Sequence, residues 1–374
     1  MSQVVRLGTV GVSADVVAPR ETGIARESAK YKINGIGVVG LGYWGPNWVR
    51  NLHQLRQARR VVACDLDAKR RDHVRGLYAG VEGSSNLDEL LRDHEIEGLV
   101  IATPVSTHFP LAKKALLAGK SVLVEKPLAM SSAQASELVR IARDKGRVLM
   151  VGHTFEYSAP VLKMRDIIES GELGDMFYLS SIRANLGLIQ HDVNVAWDLA
   201  THDISIILML MGGRVPEAVS CQGQSHYKKG IEDVAMLTLH FPRNVIAFIH
   251  VSWLDPSKIR RTTIVGSKKM LVYDDLALQE KIRIYDKGVD VAPYYDTFGE
   301  FQFSYRYGNV MIPRIDESEP LKLECEHFVE CIRSGETPRT DGLSGLRVVS
   351  VLEAANLSLK NGGAMVPVAQ AEVR

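Results

Sequence analysis

Two short stretches carry side chains able to take a proton from an alcohol. Glu125-Lys126-Pro127 closes the apolar run Ser121-Val-Leu-Val. A lysine at the end of a buried strand can hydrogen-bond a substrate hydroxyl and stabilise negative charge developing on its oxygen. A solvated lysine at a strand end fits the same position. In Trp197-Asp-Leu-Ala-Thr-His-Asp203, a helix would place Asp198 and His202 on one face at i and i+4. An imidazole that titrates near neutrality suits proton removal, and a nearby carboxylate can orient it. An N-cap aspartate and a satisfied buried histidine are the structural alternatives. His191, Asp192, His202 and Asp203 show no zinc or iron spacing, so no metal site is expected.

These groups need an oxidant, and the chain carries a turn that could hold one. Gly40-x-Gly42-x-x-Gly45 follows Ile36, Val38 and Val39 and precedes Trp48, Leu52 and Leu55 at helical spacing. Gly40 permits a tight turn, Gly42 lets the backbone approach a pyrophosphate, and Gly45 lets the helix pack close to the strand. N–H groups at the helix start add partial positive charge. A second strand, Arg60-Val-Val-Ala-Cys-Asp65, ends in an acid where a ribose-binding carboxylate belongs, about 20 residues on. Asp65 would accept both ribose hydroxyls and repel a 2′-phosphate, so NAD is favoured over NADP. Lys69 and Arg70 lie near enough to keep NADP in play. With Gly40, Gly42, Gly45 and Asp65, the cofactor edge takes in Tyr43, Trp44, Thr103, Pro104, His108, Glu125 and Lys126. Thr103-Pro-Val-Ser-Thr-His108 also fits a plain strand-to-helix turn, with His108 capping the helix.

The elements that must position these groups fall into two grammars. From Asn34 to Gly152, strands are expected near 35–40, 60–65, 97–102, 121–125 and 147–151, alternating with helices. Asn86 with Glu89, and Ser131 with Gln134, have capping-box spacing. Such alternation implies a parallel, doubly wound sheet with its ligand beyond the carboxyl ends of the strands. After Gly152 a helix is expected over Pro160–Ser170, then strands at 176–184, 217–224, 234–241, 244–253, 261–266 and 270–273. These lack helices between them and should form a mainly antiparallel sheet. The fold class is therefore α/β: a parallel-sheet domain over residues 34–152 and an α/β domain over 153–374 with an open, mainly antiparallel sheet. The helix Trp197–Met211 interrupts the strands, helices close the chain at Leu321–Arg333 and Gly345–Leu359, and 286–318 reads as an irregular loop. Residues 1–33 read as an arm, flexible or clasping a partner. Asn244-Val-Ile-Ala-Phe-Ile-His-Val-Ser-Trp253 is apolar on both alternating faces, so its second face should be covered, by another subunit or by a loop of the same chain.

At 374 residues the chain can bury two cores, and a net charge of +1 gives no electrostatic footprint for nucleic acid or an anionic membrane. Cys64, Cys221, Cys325 and Cys331 form no C-x-x-C pair, which fits a reducing cytosol. Neither a signal peptide nor a membrane span is expected.

The ordered set Gly40-x-Gly42-x-x-Gly45, Thr103-Pro104, Thr107-His108, Glu125-Lys126-Pro127, Gly152-His153 and Asp198-x-x-x-His202 resembles the glucose–fructose oxidoreductase, inositol dehydrogenase and rhizopine catabolism family. The resemblance runs from about residue 34 to 368. It implies a Rossmann domain joined to an α/β domain with an open sheet, with Lys126 and His202 as catalytic pair, Asp198 in support, and Tyr157, Arg183 and Asn185 reaching the substrate. Within the family, Gly-Tyr-Trp-Gly-Pro-Asn47 and Asp192-Val-Asn-Val-Ala-Trp-Asp198 are most similar to the nucleotide-sugar 3-dehydrogenases, which oxidise C3 of UDP-N-acetylglucosamine or its uronic acid. Glu156, Ser158 and Thr201 depart from the family pattern beside the site. Other substrates of the family, a free sugar, an inositol or a 3-keto sugar reduced in reverse, are the alternatives. A redox-inactive regulator that binds dinucleotide is a further one.

Overall fold

A computed structural model describes residues 32–190, 192–290, 304–316 and 318–369. The proposed arm before residue 32 lies outside the described residues, as does His191.

Eleven elements build the first half. Strand β1 (Ile33–Val39) leads through the glycine turn to α1 (Gly45–Leu55), followed by β2 (Ala58–Cys64) and α2 (Ala68–Leu77). Then come β3 (Glu82–Ser84), α3 (Leu87–Arg92), β4 (Ile96–Ile101), α4 (Val105–Leu117), β5 (Ser121–Glu125), α5 (Ser132–Lys145) and β6 (Leu149–Gly152). All six strands are parallel, in the order β3-β2-β1-β4-β5-β6. Strand order reverses between β1 and β4, which opens a crevice at their carboxyl ends. Every residue of β5 is buried, as expected of a strand with helices on both faces. Ser131 caps α5 as its spacing predicts: its side chain accepts the Gln134 N–H, while Gln134 Oε1 accepts the N–H of Met130. The Asn86–Glu89 pair does not close a box. Asn86 accepts from Asp88 instead, and Glu89 takes the Ser84 hydroxyl.

The junction is a 3₁₀ turn, Thr154–Tyr157, leading into α6 (Ala159–Glu169) and β7 (Met176–Ala184). A π-helical turn, Ala196–Ala200, then opens α7 (Thr201–Leu210). After it run β8 (Ala218–Gln224), β9 (Val234–Phe241), β10 (Val245–Ser252), β11 (Ile259–Gly266), β12 (Met270–Asp274), β13 (Ile282–Asp290) and β14 (Ser304–Met311). The last elements are α8 (Pro320–Ser334), α9 (Gly342–Lys360) and β15 (Val366–Pro367). The nine strands order as β14-β13-β12-β11-β7-β10-β9-β8-β15 and pair antiparallel except β7 with β10. The fold class is as the sequence implied.

Part of 286–318, expected to be irregular, instead forms the outer strands β13 and β14. β14 is an edge strand with no buried residue, so it carries no apolar alternation to read. Both closing helices return to the parallel sheet. Phe328 and Ile332 of α8 fill the space beside Gly98 of β4, and Gly345 of α9 sits against Val151 of β6. The chain's end thus completes the core that its beginning starts.

Candidate active site

The glycine turn has the geometry of a phosphate cradle. Gly40 adopts φ +92°, and a Cβ there would lie 2.6 Å from Thr103 Cγ2. At Gly45 a Cβ would run into the carbonyl oxygen of Gly40, whereas at Gly42 it would meet nothing within 4 Å. The first turn of α1 has Trp44 at its N-cap with no side-chain cap; the Asn47 and Trp48 N–H groups return to the Trp44 carbonyl, and the helix start offers its partial positive charge to an anion. Tyr43, within the glycine turn, and Leu66, next to Asp65, stand 85% and 90% exposed. Asp65 Oδ2 accepts the Leu41 N–H at 2.6 Å and Oδ1 the Asp67 N–H at 2.9 Å, so this carboxylate also pins the turn. Further lone pairs remain for ribose hydroxyls. Open space, uncapped helix start and acid together fit NAD.

Two residues expected on this edge are not on it. His108 is 1% exposed and bridges the carbonyl oxygens of Pro127 (2.8 Å) and Thr103 (2.9 Å). It staples the two loops from beneath, and burial holds its pKa low. Glu125 is likewise buried: its Oε1 accepts the indole N–H of Trp48 at 2.7 Å and its Oε2 the Lys126 N–H at 3.2 Å. Burial raises its pKa, and its oxygens serve the core rather than a ligand.

Across the crevice the structure brings together Lys126, Asp198 and His202. Lys126 Nζ donates to the Asp198 carbonyl oxygen at 2.9 Å and to Asp198 Oδ1 at 3.2 Å, with 15% of the lysine side chain exposed. Trp253 Nε1 donates to the other carboxylate oxygen at 3.1 Å. Asp198 therefore orients the lysine rather than the imidazole, which corrects the i, i+4 expectation. The physical reason is the π-helical turn, wider than an α-turn, which redirects Asp198 toward β10 and β5. Thr201, where the family pattern favours Pro, donates its hydroxyl to the Trp197 carbonyl of that turn.

His202 is partly exposed and meets the ring of Phe155 edge-on, with centroids 5.0 Å apart. Its pKa is held well below the ordinary imidazole value by burial first, then by the charges of Lys126 and Arg183, by His153, and by Arg260. Phe155 and Trp253 were not among the residues singled out from the sequence. The 3₁₀ turn explains the first. Side chains at i and i+3 eclipse in such a turn, so Thr154 and Tyr157 share one face and Phe155 takes another. Thr154 donates to Glu324, and the Tyr157 hydroxyl pairs with His327 at 2.9 Å. Tyr157, 2% exposed, thus faces α8 and not the substrate side, contrary to expectation. Arg183 is also corrected: it lies buried, with Nε bonded to Asp203 Oδ2 at 2.7 Å, and serves as a core ion pair. Asn185 stays at the rim, its amide beside Gly187 and Trp253.

Beneath the site lie His153, 1% exposed with neither ring nitrogen paired, and buried Glu156. Burial brings the His153 pKa down to about 3 and the Glu156 pKa up to about 8, the latter opposed by Arg339. Among the described residues no group of metal-ligating side chains forms a metal site.

Two predictions follow from this geometry. Gly42→Val should leave the melting temperature near that of the parent, because its Cβ meets open space, yet weaken NAD binding by at least about tenfold, as read by calorimetry. Glu156 binds its proton more tightly folded than unfolded. Its contribution to stability is full below the usual carboxylate range and is lost as pH rises toward 8. Glu156→Gln should therefore flatten the fall in melting temperature between pH 5 and pH 9.

Comparison with known proteins places this geometry in a lineage. A family model described as "Oxidoreductase family, NAD-binding Rossmann fold" matches residues 34–153, and the GFO/IDH/MocA C-terminal domain matches 161–272. The trans-1,2-dihydrobenzene-1,2-diol dehydrogenase of Oryctolagus cuniculus is 30% identical, covering 80% of this chain and 89% of that one. The scyllo-inositol 2-dehydrogenase (NAD(+)) of Bacillus subtilis is 25% identical over 87% of this chain and 94% of its own. The UDP-N-acetylglucosamine 3-dehydrogenase GnnA of Acidithiobacillus ferrooxidans shares the fold, with TM-score 0.72 and 23% identity over 88% of this chain and 98% of that one. Glycine turn, ordered motifs and both domains agree: this chain belongs to the GFO/IDH/MocA family of NAD-binding oxidoreductases.

Proposed function

We propose that the chain oxidises a secondary sugar hydroxyl, C3 of a UDP-linked amino sugar, with Lys126 and His202 as the reacting pair. The observation that carries this reading is that Lys126, at the carboxyl end of β5, is bonded to Asp198 on the turn that leads to His202, whose ring feels the lysine's charge. Bound NAD would supply the hydride acceptor. Lys126 would hold the reacting oxygen and stabilise its developing negative charge. His202, kept unprotonated by burial and by the surrounding cations, would accept the hydroxyl proton. Asp198 and Trp253 fix the direction of the lysine, and Asn185 stands where it can meet a neighbouring hydroxyl. The UDP-linked substrate is supported by the stretches around Gly42 and Asp198, and by GnnA among the proteins of this fold. An inositol is the second reading, supported by the name of the Bacillus subtilis relative.

We also propose a homo-oligomer. Tyr178, Met236 and Phe248 are exposed on the face of the nine-stranded sheet opposite Arg183 and Asp203, beside a groove lined by Ser180, Ile182 and His250. The groove lies away from Lys126 and His202, so a ligand pocket for the reaction is not its role. The occupant assigned to this face is a second copy of the chain, since a two-fold axis would set the same apolar patch against itself. The assembly we infer is a cytosolic homodimer or homotetramer, in line with the sequence reading in which another subunit covers the second face of β10. Among the described residues, no helix is long and apolar enough to cross a membrane.

Lys126→Met and His202→Asn should each lower kcat by roughly 10²-fold or more while the NAD dissociation constant stays within threefold. Nicotinamide absorbance with a panel of nucleotide sugars reads the first quantity, and calorimetry the second. Full turnover by His202→Asn would remove the base assignment. For the oligomer, Phe248→Asp with Met236→Glu should reduce the mass measured by light scattering to that of one chain. A parent already monomeric would end that proposal.

A further inference from the structure

Two arginines lie directly opposite each other on neighbouring antiparallel strands, Arg183 of β7 and Arg260 of β11. Like charges in that relation destabilise a sheet pair. Both guanidinium groups nevertheless stand over one ring, with Arg183 Cζ 4.5 Å and Arg260 Cζ 5.8 Å from the Phe155 centroid. That ring also touches His202.

The two arginines are not equivalent. Arg183 is spent on buried Asp203, which in turn accepts the Ser181 hydroxyl at 2.6 Å. Arg260 has 35% of its side chain exposed and bonds through Nη1 alone to Asp275 Oδ2 at 3.2 Å. Asp275 divides itself further, its Oδ1 accepting the Tyr273 hydroxyl at 2.8 Å. A guanidinium has five N–H donors in a fixed fork, so most of the Arg260 fork remains to offer. The guanidinium and the His202 ring both lie against Phe155, so the unbonded part of the fork and the imidazole belong to one neighbourhood.

We propose that Arg260 is a specificity residue that recognises a carboxylate carried by the sugar close to the reacting hydroxyl. The assignment rests on the reading of the site as a sugar dehydrogenase and deepens it: the substrate class becomes an acidic sugar. Phe155 serves as the floor. Its face supports the guanidinium planes by cation–π attraction, and its edge sets the imidazole beside them. A planar carboxylate matches the planar fork. The diphosphate of a nucleotide sugar is present in neutral and acidic sugars alike, so the two sources of anionic oxygen can be separated.

The test compares the parent with Arg260→Met and Arg260→Lys on UDP-N-acetylglucosamine and on the same nucleotide sugar with C6 oxidised to a carboxylate. With Arg260→Met, KM for the acid should rise about 10- to 100-fold, the loss of a charged hydrogen-bonded contact. KM for the neutral sugar should stay within threefold. Arg260→Lys should fall between them, since it keeps the charge and loses the fork. Removing the positive charge also lets the His202 imidazolium form more readily, so the acidic limb of kcat/KM should move to higher pH. Equal losses on both sugars would make Arg260 a structural or diphosphate contact and overturn the proposal. If the parent oxidises neither nucleotide sugar, the UDP-sugar reading has failed, and the arginine is judged by binding alone. NAD-loaded parent and Arg260→Met are then titrated with D-glucuronate and D-glucose. Preference for glucuronate that vanishes in Arg260→Met supports the assignment, whereas absent or equal binding overturns it.

Discussion

The ammonium of Lys126 ties the two halves of this molecule together. It leaves the parallel sheet at the turn after β5 and donates to both the backbone and the side chain of Asp198, on the turn that opens α7. Because Trp253 holds the other carboxylate oxygen, one aspartate gathers the end of β5 in the parallel sheet, the turn that opens α7 and the end of β10 in the second sheet. A displacement of any one of these elements would move the lysine. The supports beneath it are equally specific: His108 staples the Pro127 and Thr103 loops, and Trp48 anchors Glu125 in the preceding strand. Losing the Trp48 indole would leave a buried carboxylate oxygen unpaired, which typically costs about 1–3 kcal/mol.

Around that link the charges are arranged in pairs with unequal exposure. Arg183 and Asp203 cancel within the core, Lys126 and Asp198 meet in the crevice, and Arg260 with Asp275 stands at its rim. The imidazole of His202 feels the charges of Lys126, Arg183 and Arg260, and burial holds its pKa low first. A histidine in such a field is held in the form that can accept a proton, at the expense of some basicity. Aromatic packing by Phe155 supplies the orientation that a carboxylate would otherwise give. The acids beneath the site follow a different logic. Glu125, Glu156 and Glu324 are all buried with raised pKa, so the floor of the crevice resists carrying negative charge.

Much of this was written in local patterns. Apolar runs bounded by turn residues gave five of the six parallel strands, since a strand buried on both faces leaves an unbroken apolar signature. The exception was β3, only three residues long and with no buried position. Gly40, Gly42 and Gly45 were legible because each meets a different steric demand: a positive φ, open space and a close backbone contact. β14 was lost for want of contrast, as the outermost strand has no inward face to pattern, whereas β13 shows alternation only at Ile282 and Ile284 before it enters the stretch read as a loop. Side-chain direction was the other loss. His108, Glu125, Tyr157 and Arg183 all lie in the right segments, yet each points into the core and is taken up by an internal partner.

By itself, then, the amino-acid order determined the two-sheet architecture, the phosphate-binding turn and the acid at the end of β2. Those features follow from periodicity, steric permission at glycine and short-range spacing, which act over a few residues. Only the tertiary structure decided that Asp198 bonds the lysine, that Phe155 packs on His202 and Trp253 on Asp198, and that Arg260 is partly exposed where Arg183 is buried. Hydrogen-bond partners and charge fields depend on which distant elements pack together. A π-helical turn or a 3₁₀ turn rotates a side chain away from its α-helical direction with little trace in residue types.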